Sequence, residues 1–497
     1  MTLKTSQFQT LADRLADKTL LRQLNLIDGE WRSAASGELH PVVNPANDDR
    51  LAHVPASGAQ DATAAVEAAH RALPAWSALT AKERAAILRR WYELILAHRE
   101  DLGLILASEQ GKPLAEAIGE VVYGAGFVEW FAEEAKRVYG DVIPPHVRDR
   151  RLVVVKQAVG VAAMVTPWNF PSAMITRKAG PALAAGCTVV LKPAEDTPLS
   201  ALALGELALR AGVPAGVFNI VTTAKPAPVG EVFTTHPAVR KLSFTGSTRV
   251  GKLLMSQCAG TVKKVSLELG GNAAFIVFDD ADLDAALAGL MAVKFRNTGQ
   301  TCVSANRIFV QAGVFDRFCN MLNEAVAGMK TGDPLTPGIQ QGPLINQAAL
   351  EKVQVLVGDA LARGAKVETG GTVHQLGGLF FRPTVLSGIT GDMRMCHEEI
   401  FGPVAPLQRF EHEAEVIAQA NDTPYGLAGY FYSRDVGRAW RVAEALEVGM
   451  VGVNEGGIST ELAPFGGVKE SGIGREGSKY GIEEYVETKY ICFGGIA

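Results

Sequence analysis

The chain has 497 residues, 47% of them hydrophobic and 20% charged, with a formal net charge of −5. That length allows two to four domains with large buried cores, in the composition range of an ordinary globular enzyme or binding protein. No run of like charge reads as a nucleic-acid arm or an acidic tail, and without a basic footprint nucleic acid is not an expected partner.

In chain order, Leu11, Leu15, Leu20, Leu21 and Leu24, interleaved with Asp13 and Asp17, predict an amphipathic N-terminal helix without the apolar core of a signal peptide. Residues 61–138 are Ala-rich and predict mainly helix. Within them "TAKE", Thr80 to Glu83, fits a capping box with Thr80 as cap and Glu83 reaching back. Gln157 to Thr176 carries no charge and approaches the roughly 20 residues of a membrane span. Pro167, Asn169 and Pro171 interrupt it, so no membrane helix is predicted there.

From about residue 151 short β-rich runs ("RLVVV", "VAAMV", "TVVLK", "VFNIV", "KLSFT") alternate with helical patterns such as "PLSALALGELALRAG". That alternation predicts βαβ units and a mostly parallel sheet. A second series follows Gly271: "AAFIVF", "DLDAALAGLMAVKFR", "RIFVQ", "AGYFYS" and "MVGVN". Two α/β lobes follow, with "LELGGN" (Leu267 to Asn272) as the junction, and the C-terminal "EYVETKYICF" reads as an edge strand able to pair with another chain.

Three loops carry candidate chemistry. "VVLKPAEDTP" ends a strand at Lys192 and places Glu195 in the following loop, where the pair could grip ribose hydroxyls or form a solvated charged loop. "GSTRVGKL" lacks the Ser or Thr that a Walker A lysine requires next, since Leu253 stands there. Its Gly246 and Ser247 nevertheless sit between a strand and a helix. That helix N-terminus suits a diphosphate, with a plain strand-to-helix turn as the equal alternative. "GIGREG" (Gly472 to Gly477) matches a dinucleotide fingerprint by letter only and reads as a turn-rich loop, because no strand–helix unit surrounds it.

The stretch "KFRNTGQTCVSANR", Lys294 to Arg307, places Cys302 in a polar, Gly-punctuated break instead of a core. It is either a packing thiol or a nucleophile. The six cysteines (Cys187, Cys258, Cys302, Cys319, Cys396 and Cys492) include no CxxC pair, a usage that fits a reducing cytoplasm. No HExxH or spaced Cys/His cluster occurs, so no metal site is predicted.

"LELGGN", "FRNTGQTC" and "PWNFP", joined by "SFTGSTRVGK", "EEIFGPV" and "PFGGVKESGIGREG", resemble the NAD(P)-dependent aldehyde dehydrogenase superfamily, and within it the succinate-semialdehyde branch. The resemblance runs from about residue 25 to the C-terminus. It implies an α/β fold of three parts: a Rossmann-like cofactor domain (1–138 and 160–270), an α/β catalytic domain (271–478), and a small β oligomerisation element (139–159 and 479–497). It implies a homo-oligomer, a dimer of dimers.

By the same resemblance Cys302 attacks the aldehyde, with the Asn169 side chain and the Cys302 backbone N–H stabilising the oxyanion. Glu268 activates water to hydrolyse the thioester; on its residue type alone, a salt-bridged strand residue is the simpler reading. Lys192 and Glu195 go to the adenosine ribose, Gly246 and Ser247 to the diphosphate, Glu399 to the nicotinamide ribose, and Trp168 lines the pocket. Glu195 repels a 2′-phosphate, so NAD is expected over NADP. Arg177, Arg296 and Ser459 occupy the positions that hold a carboxylated substrate in that branch, although two structural ion pairs would equally explain the arginines. Ser304 replaces a second cysteine that some relatives use as a redox switch, so that disulfide is not expected. The expected reaction is oxidation of succinic semialdehyde or a close ω-carboxylated aldehyde. Glutarate semialdehyde is the near alternative, and a dinucleotide-free thiol esterase the distant one.

Overall fold

The computed structural model describes residues 10–496. The N-terminal helix expected from the leucine pattern reaches only from Leu11 to Arg14, followed by a 3₁₀ turn at Lys18–Leu20; its first nine residues lie outside the described range. Four residues cannot hold a helix on propensity. Tertiary bonds decide the segment instead. Asp101 accepts from the Ala16 and Asp17 N–H groups at 2.9 and 2.8 Å, and Leu11, Leu15 and Leu20 are buried.

Helices Ala59–Ala78, Ala81–Ala97, Arg99–Gln110 and Leu114–Glu134 fill the Ala-rich region. The predicted capping box forms: Thr80 Oγ1 accepts from Glu83 N at 3.3 Å, and Thr80 N donates to Glu83 Oε2 at 2.7 Å.

Two large sheets form the body. The first has eight strands in the spatial order Glu30–Arg32, Asn25–Ile27, Phe218–Ile220, Thr188–Lys192, Val161–Val165, Val239–Thr245, Lys264–Glu268 and Gly472–Ile473. Its middle five strands run parallel. From Val161–Val165 the chain builds outward to one side, then returns and builds to the other, which puts a switch point between Val161–Val165 and Val239–Thr245. Ligands bind open α/β sheets at such a crevice, outside the carboxyl ends of the strands.

The second sheet has seven strands, Lys366–Thr369, Thr384–Ser387, Val404–Phe410, Ala305–Gln311, Ala273–Val277, Ala428–Tyr432 and Met450–Val453, all parallel except the first. Ala273–Val277 and Ala428–Tyr432 are buried along their whole length, as expected where helices cover both faces.

The run "RLVVV" departs from the βαβ expectation. Arg151–Ala158 lies in a separate three-stranded antiparallel sheet, between Asp141–Ile143 and Val486–Phe493. Its residues face solvent on much of their surface, so β-propensity marked the strand but not the sheet it joins. The expected C-terminal edge strand is present as Val486–Phe493, paired on one side only.

Candidate active site

Helix Leu283–Lys294 delivers the chain to the site. It ends in a 3₁₀ turn, Arg296–Gly299, in which Asn297 and Thr298 adopt left-handed φ values of 50° and 57°. Non-glycine residues in that region need support from their surroundings. Glu116 accepts from the Asn297 N–H at 2.7 Å, the Asn297 side chain donates to the Asn169 carbonyl at 2.9 Å, and Gln300 Oε1 accepts from the Ile345 N–H at 3.0 Å. The turn is thereby fixed from three directions, and Cys302 follows it, half-buried, before strand Ala305–Gln311 begins.

Asn169 lies just beyond strand Val161–Val165, on one side of the switch point. Its Nδ2 donates to the Gln300 carbonyl at 3.0 Å, which uses one amide hydrogen and leaves the second for the cavity. Its own carbonyl accepts from Lys112 Nζ at 2.8 Å. Lys112 is buried and ion-paired at 2.5 Å with Glu120, whose other oxygen takes the Ser172 and Ala173 N–H groups at 2.9 and 3.2 Å.

A cavity of about 350 Å³ opens here, lined by Trp168, Asn169, Gly246, Ser247, Cys302 and Glu399 among others. Gly246 and Ser247 come from the strand end across the switch point, with Ser247 capping helix Thr248–Ala259. A Cβ at Gly246 would stand 2.5 Å from the Phe244 ring, so only glycine keeps the backbone in this place. Trp168 meets Phe401 edge to face at 5.5 Å between centroids. Glu399 Oε1 accepts from the Gly271 N–H at 3.2 Å; burial raises its carboxyl to about 7, against the pull of Lys352 and Lys294.

Glu268 ends strand Lys264–Glu268 and is buried with neither carboxyl oxygen hydrogen-bonded. Burial, then the charge of Glu476, holds it well above the ordinary carboxylate range, while Arg177, Lys178 and Arg475 pull the other way. Its carboxyl rests near Gly466, behind the cavity wall and not in it. Burial also pushes the Cys302 thiol up to about 12; Glu399 and Glu268 add to the rise and Arg177 opposes it.

The two arginines differ. Arg177, on helix Ala173–Ala185, is fully buried, with its guanidinium 4.0 Å from the Phe465 ring centroid and 5.1 Å from that of Phe127. Its Nε lies 2.8 Å from Glu476 Oε2 yet is not aligned to donate to it, and Nη2 has no partner. Lys178 occupies the other Glu476 oxygen. Arg296 lies 4.9 Å over the Phe170 ring, with no carboxylate within 4.0 Å among the described residues. Ser459 is half-buried in the loop after Met450–Val453, outside the residues that line the cavity.

Lys192 and Glu195 likewise stand outside that lining, paired with each other at 2.5 Å at the end of strand Thr188–Lys192. The sequence reading missed the supports of the site: Lys112, Glu116, Glu120 and Glu476. Two acidic residues four apart in the otherwise apolar first half of a helix were the available signal for Glu116 and Glu120. Glu476 sits inside "GIGREG", the motif dismissed as a loop.

The aldehyde dehydrogenase family model matches residues 31–491. The chain belongs to the aldehyde dehydrogenase family. It is an oxidoreductase of that family. The chain is 62% identical over 481 residues to the succinate-semialdehyde dehydrogenase [NADP(+)] GabD of Escherichia coli, covering 97% of this chain and 100% of that one. It is 58% identical over 483 residues to a glutarate-semialdehyde dehydrogenase of Pseudomonas aeruginosa, covering 97% and 100%. The crystal structure of an E. coli NADP-dependent enzyme superposes with a TM-score of 0.96 at 61% identity, over 97% of this chain and 100% of that chain.

Proposed function

We propose that this aldehyde dehydrogenase oxidises succinic semialdehyde, or a close aldehyde bearing a terminal carboxylate, with NAD preferred. One observation carries the substrate reading. The Arg177 charge acts on the thiol and Arg296 opens the turn that leads to it, and neither guanidinium has a carboxylate aligned to receive its fork. A carboxylate arriving with the substrate supplies the missing acceptor. The relatives named for succinate and glutarate semialdehydes support the same class.

In this reading Cys302 Sγ attacks the aldehyde carbon. The thiol holds its proton in the free site, so attack needs a base; Glu399 and then Glu268 are the carboxyls whose charges act on that thiol, and the base is assigned to Glu268. The free hydrogen of Asn169 Nδ2 and the Cys302 N–H stabilise the oxyanion. A dinucleotide held by Gly246, Ser247 and Glu399 would supply the hydride acceptor needed when the oxyanion collapses. Cys302 then holds the acyl group as a thioester. Once the thiol's proton has passed from Glu268 to solvent, Glu268 takes a proton from water, the hydroxide adds to the thioester carbon, and the thiolate departs, leaving the free acid.

The residues present fit the dinucleotide. The glycine cradle at Gly246, the free N–H groups capped by Ser247, and the Glu399 carboxyl meet diphosphate and ribose. Glu195 stands by Lys192 for the adenosine ribose, where its charge opposes a 2′-phosphate. The lobes are assigned accordingly, with the eight-stranded sheet on the cofactor side and the seven-stranded sheet on the catalytic side. Val142, Ile143, Tyr490 and Phe493 are exposed on the three-stranded sheet, which is assigned to a homo-oligomeric contact in a dimer of dimers. A cytoplasmic location fits the six free cysteines.

The deciding experiment mixes protein, NAD and succinic semialdehyde and follows NADH absorbance, with glutarate semialdehyde, butanal and NADP in parallel. Faster turnover of butanal than of either semialdehyde would sink the substrate reading. Ester cleavage without NAD, and no NADH from any aldehyde, would favour a thiol hydrolase.

A further inference from the structure

We propose that the Tyr123 hydroxyl is a third hydrogen-bond donor to the substrate's terminal carboxylate, placed between Arg177 and Arg296. The inference rests on the carboxylated-aldehyde reading above.

Tyr123 lies on helix Leu114–Glu134, next to Gly124. A Cβ at Gly124 would stand 3.0 Å from Thr176 Oγ1 and 3.1 Å from Ala173 Cα, so the glycine lets this helix press against Ala173–Ala185. The close approach packs Tyr123 on Phe170, Ala173 and Met174. Phe170 and Met174 are part of the Cys302 cavity wall. On its other side the Tyr123 ring meets Phe127 at 5.1 Å, edge to face.

Those same two phenylalanines carry the arginines. The Arg177 guanidinium is 5.1 Å from Phe127, and that of Arg296 is 4.9 Å from Phe170. Tyr123 therefore bridges the two cation-bearing rings. Its hydroxyl is buried and has no hydrogen-bond partner. A buried polar group without a partner is costly, and beside a substrate cavity a ligand acceptor relieves that cost.

The charges acting on this hydroxyl come from every element around it: Arg177, Arg296, Glu476 and Cys302. Burial raises the phenol above its ordinary range, with the two arginines pulling it down, so it stays protonated and donates at neutral pH. A carboxylate is acceptor-only and offers about four lone-pair sites, more than two misaligned guanidiniums occupy. A phenol O–H between them fills one and adds direction that two cations lack. A neutral aldehyde has nothing there to accept it.

The experiment compares wild type and Tyr123→Phe with succinic semialdehyde and with butanal. Loss of a hydrogen bond to a charged group is expected to cut the preference for succinic semialdehyde over butanal, in kcat/KM, by about tenfold, carried by KM. Unchanged preference, or an equal loss on both aldehydes, overturns the proposal, since the second pattern belongs to a ring that only packs. If wild type shows no preference to lose, the carboxylated-substrate reading falls and takes this proposal with it. If wild type prefers the semialdehyde and Tyr123→Phe keeps that preference whole, only the tyrosine's role falls.

Discussion

In the Arg296–Gly299 turn, the backbone and side chains are held by Glu116, Asn169, Ile345 and, through Asn169, Lys112. Around Arg177, outside the cavity lining, Tyr123 Oη, Arg177 Nη2 and both Glu268 oxygens are buried without a partner. Asn297 Oδ1 is also without a partner, but the turn's backbone is wired by hydrogen bonds, whereas around Arg177 a phenol, a guanidinium nitrogen and a whole carboxyl are left open. The difference separates two tasks. Reacting atoms need fixed geometry, which saturated hydrogen bonds provide. Ligands and mobile protons need acceptors and donors not already committed.

Substitutions in the two regions should behave differently, and the largest effect belongs to the wired side. Cys302→Ala is expected to lower NADH formation on the order of 10⁵-fold, read by steady-state turnover. Asn169→Ala, which empties the oxyanion position, is expected to lower kcat by about 10²–10³ for charged and neutral aldehydes alike. A loss confined to carboxylated substrates would move Asn169 to the open side.

The Arg296 backbone opens the wired turn, but its guanidinium has no carboxylate partner, so Arg296→Met tests the open side. It should lower kcat/KM for succinic semialdehyde by about ten- to a hundredfold, mainly through KM, with a much smaller effect on butanal. Equal losses would make Arg296 part of the scaffold and erase the contrast.

The pH dependence sharpens the comparison further. Burial raises Glu268, so its base form gains population at higher pH than that of an ordinary carboxylate. Deacylation should climb with that population in single-turnover traces, and Glu268→Gln should flatten the climb. Stability runs the other way for a raised carboxyl. Glu399, ordinarily at 4.5 and held at about 7, gives stability present below about pH 4.5 that is lost as pH rises to about 7. Glu399→Gln should remove that part of the slope in urea unfolding across the same range. The smallest effect is expected at the cofactor edge, where Glu195→Ser should raise NADP use several-fold relative to NAD, read as the ratio of kcat/KM.

Local residue chemistry made part of this legible. Ser247 as a helix cap, Lys192 at a strand end and the Thr80 capping box each follow from a few neighbouring residues, and each forms as expected. The polar break before Cys302 was visible for the same reason. The N-terminal leucines misled, because the pattern is local while the bonds to Asp101 come from 85 positions away. Glu476 escaped notice because it pairs with Arg177 and Lys178 across roughly 300 residues. Tyr123 gave no signal at all, since one tyrosine on an apolar helix is normally a packing residue.

The sequence by itself determined the βαβ alternation, the helix caps and the presence of a thiol in a polar turn. Those depend on periodicity and on contacts a few residues apart. Only the tertiary structure decided that Arg177 and Arg296 lack aligned carboxylates, that Glu268 is buried without partners, and that "RLVVV" joins the C-terminal strand. Charge pairing and desolvation depend on what packs nearby in space, and the chain order holds no record of that distance.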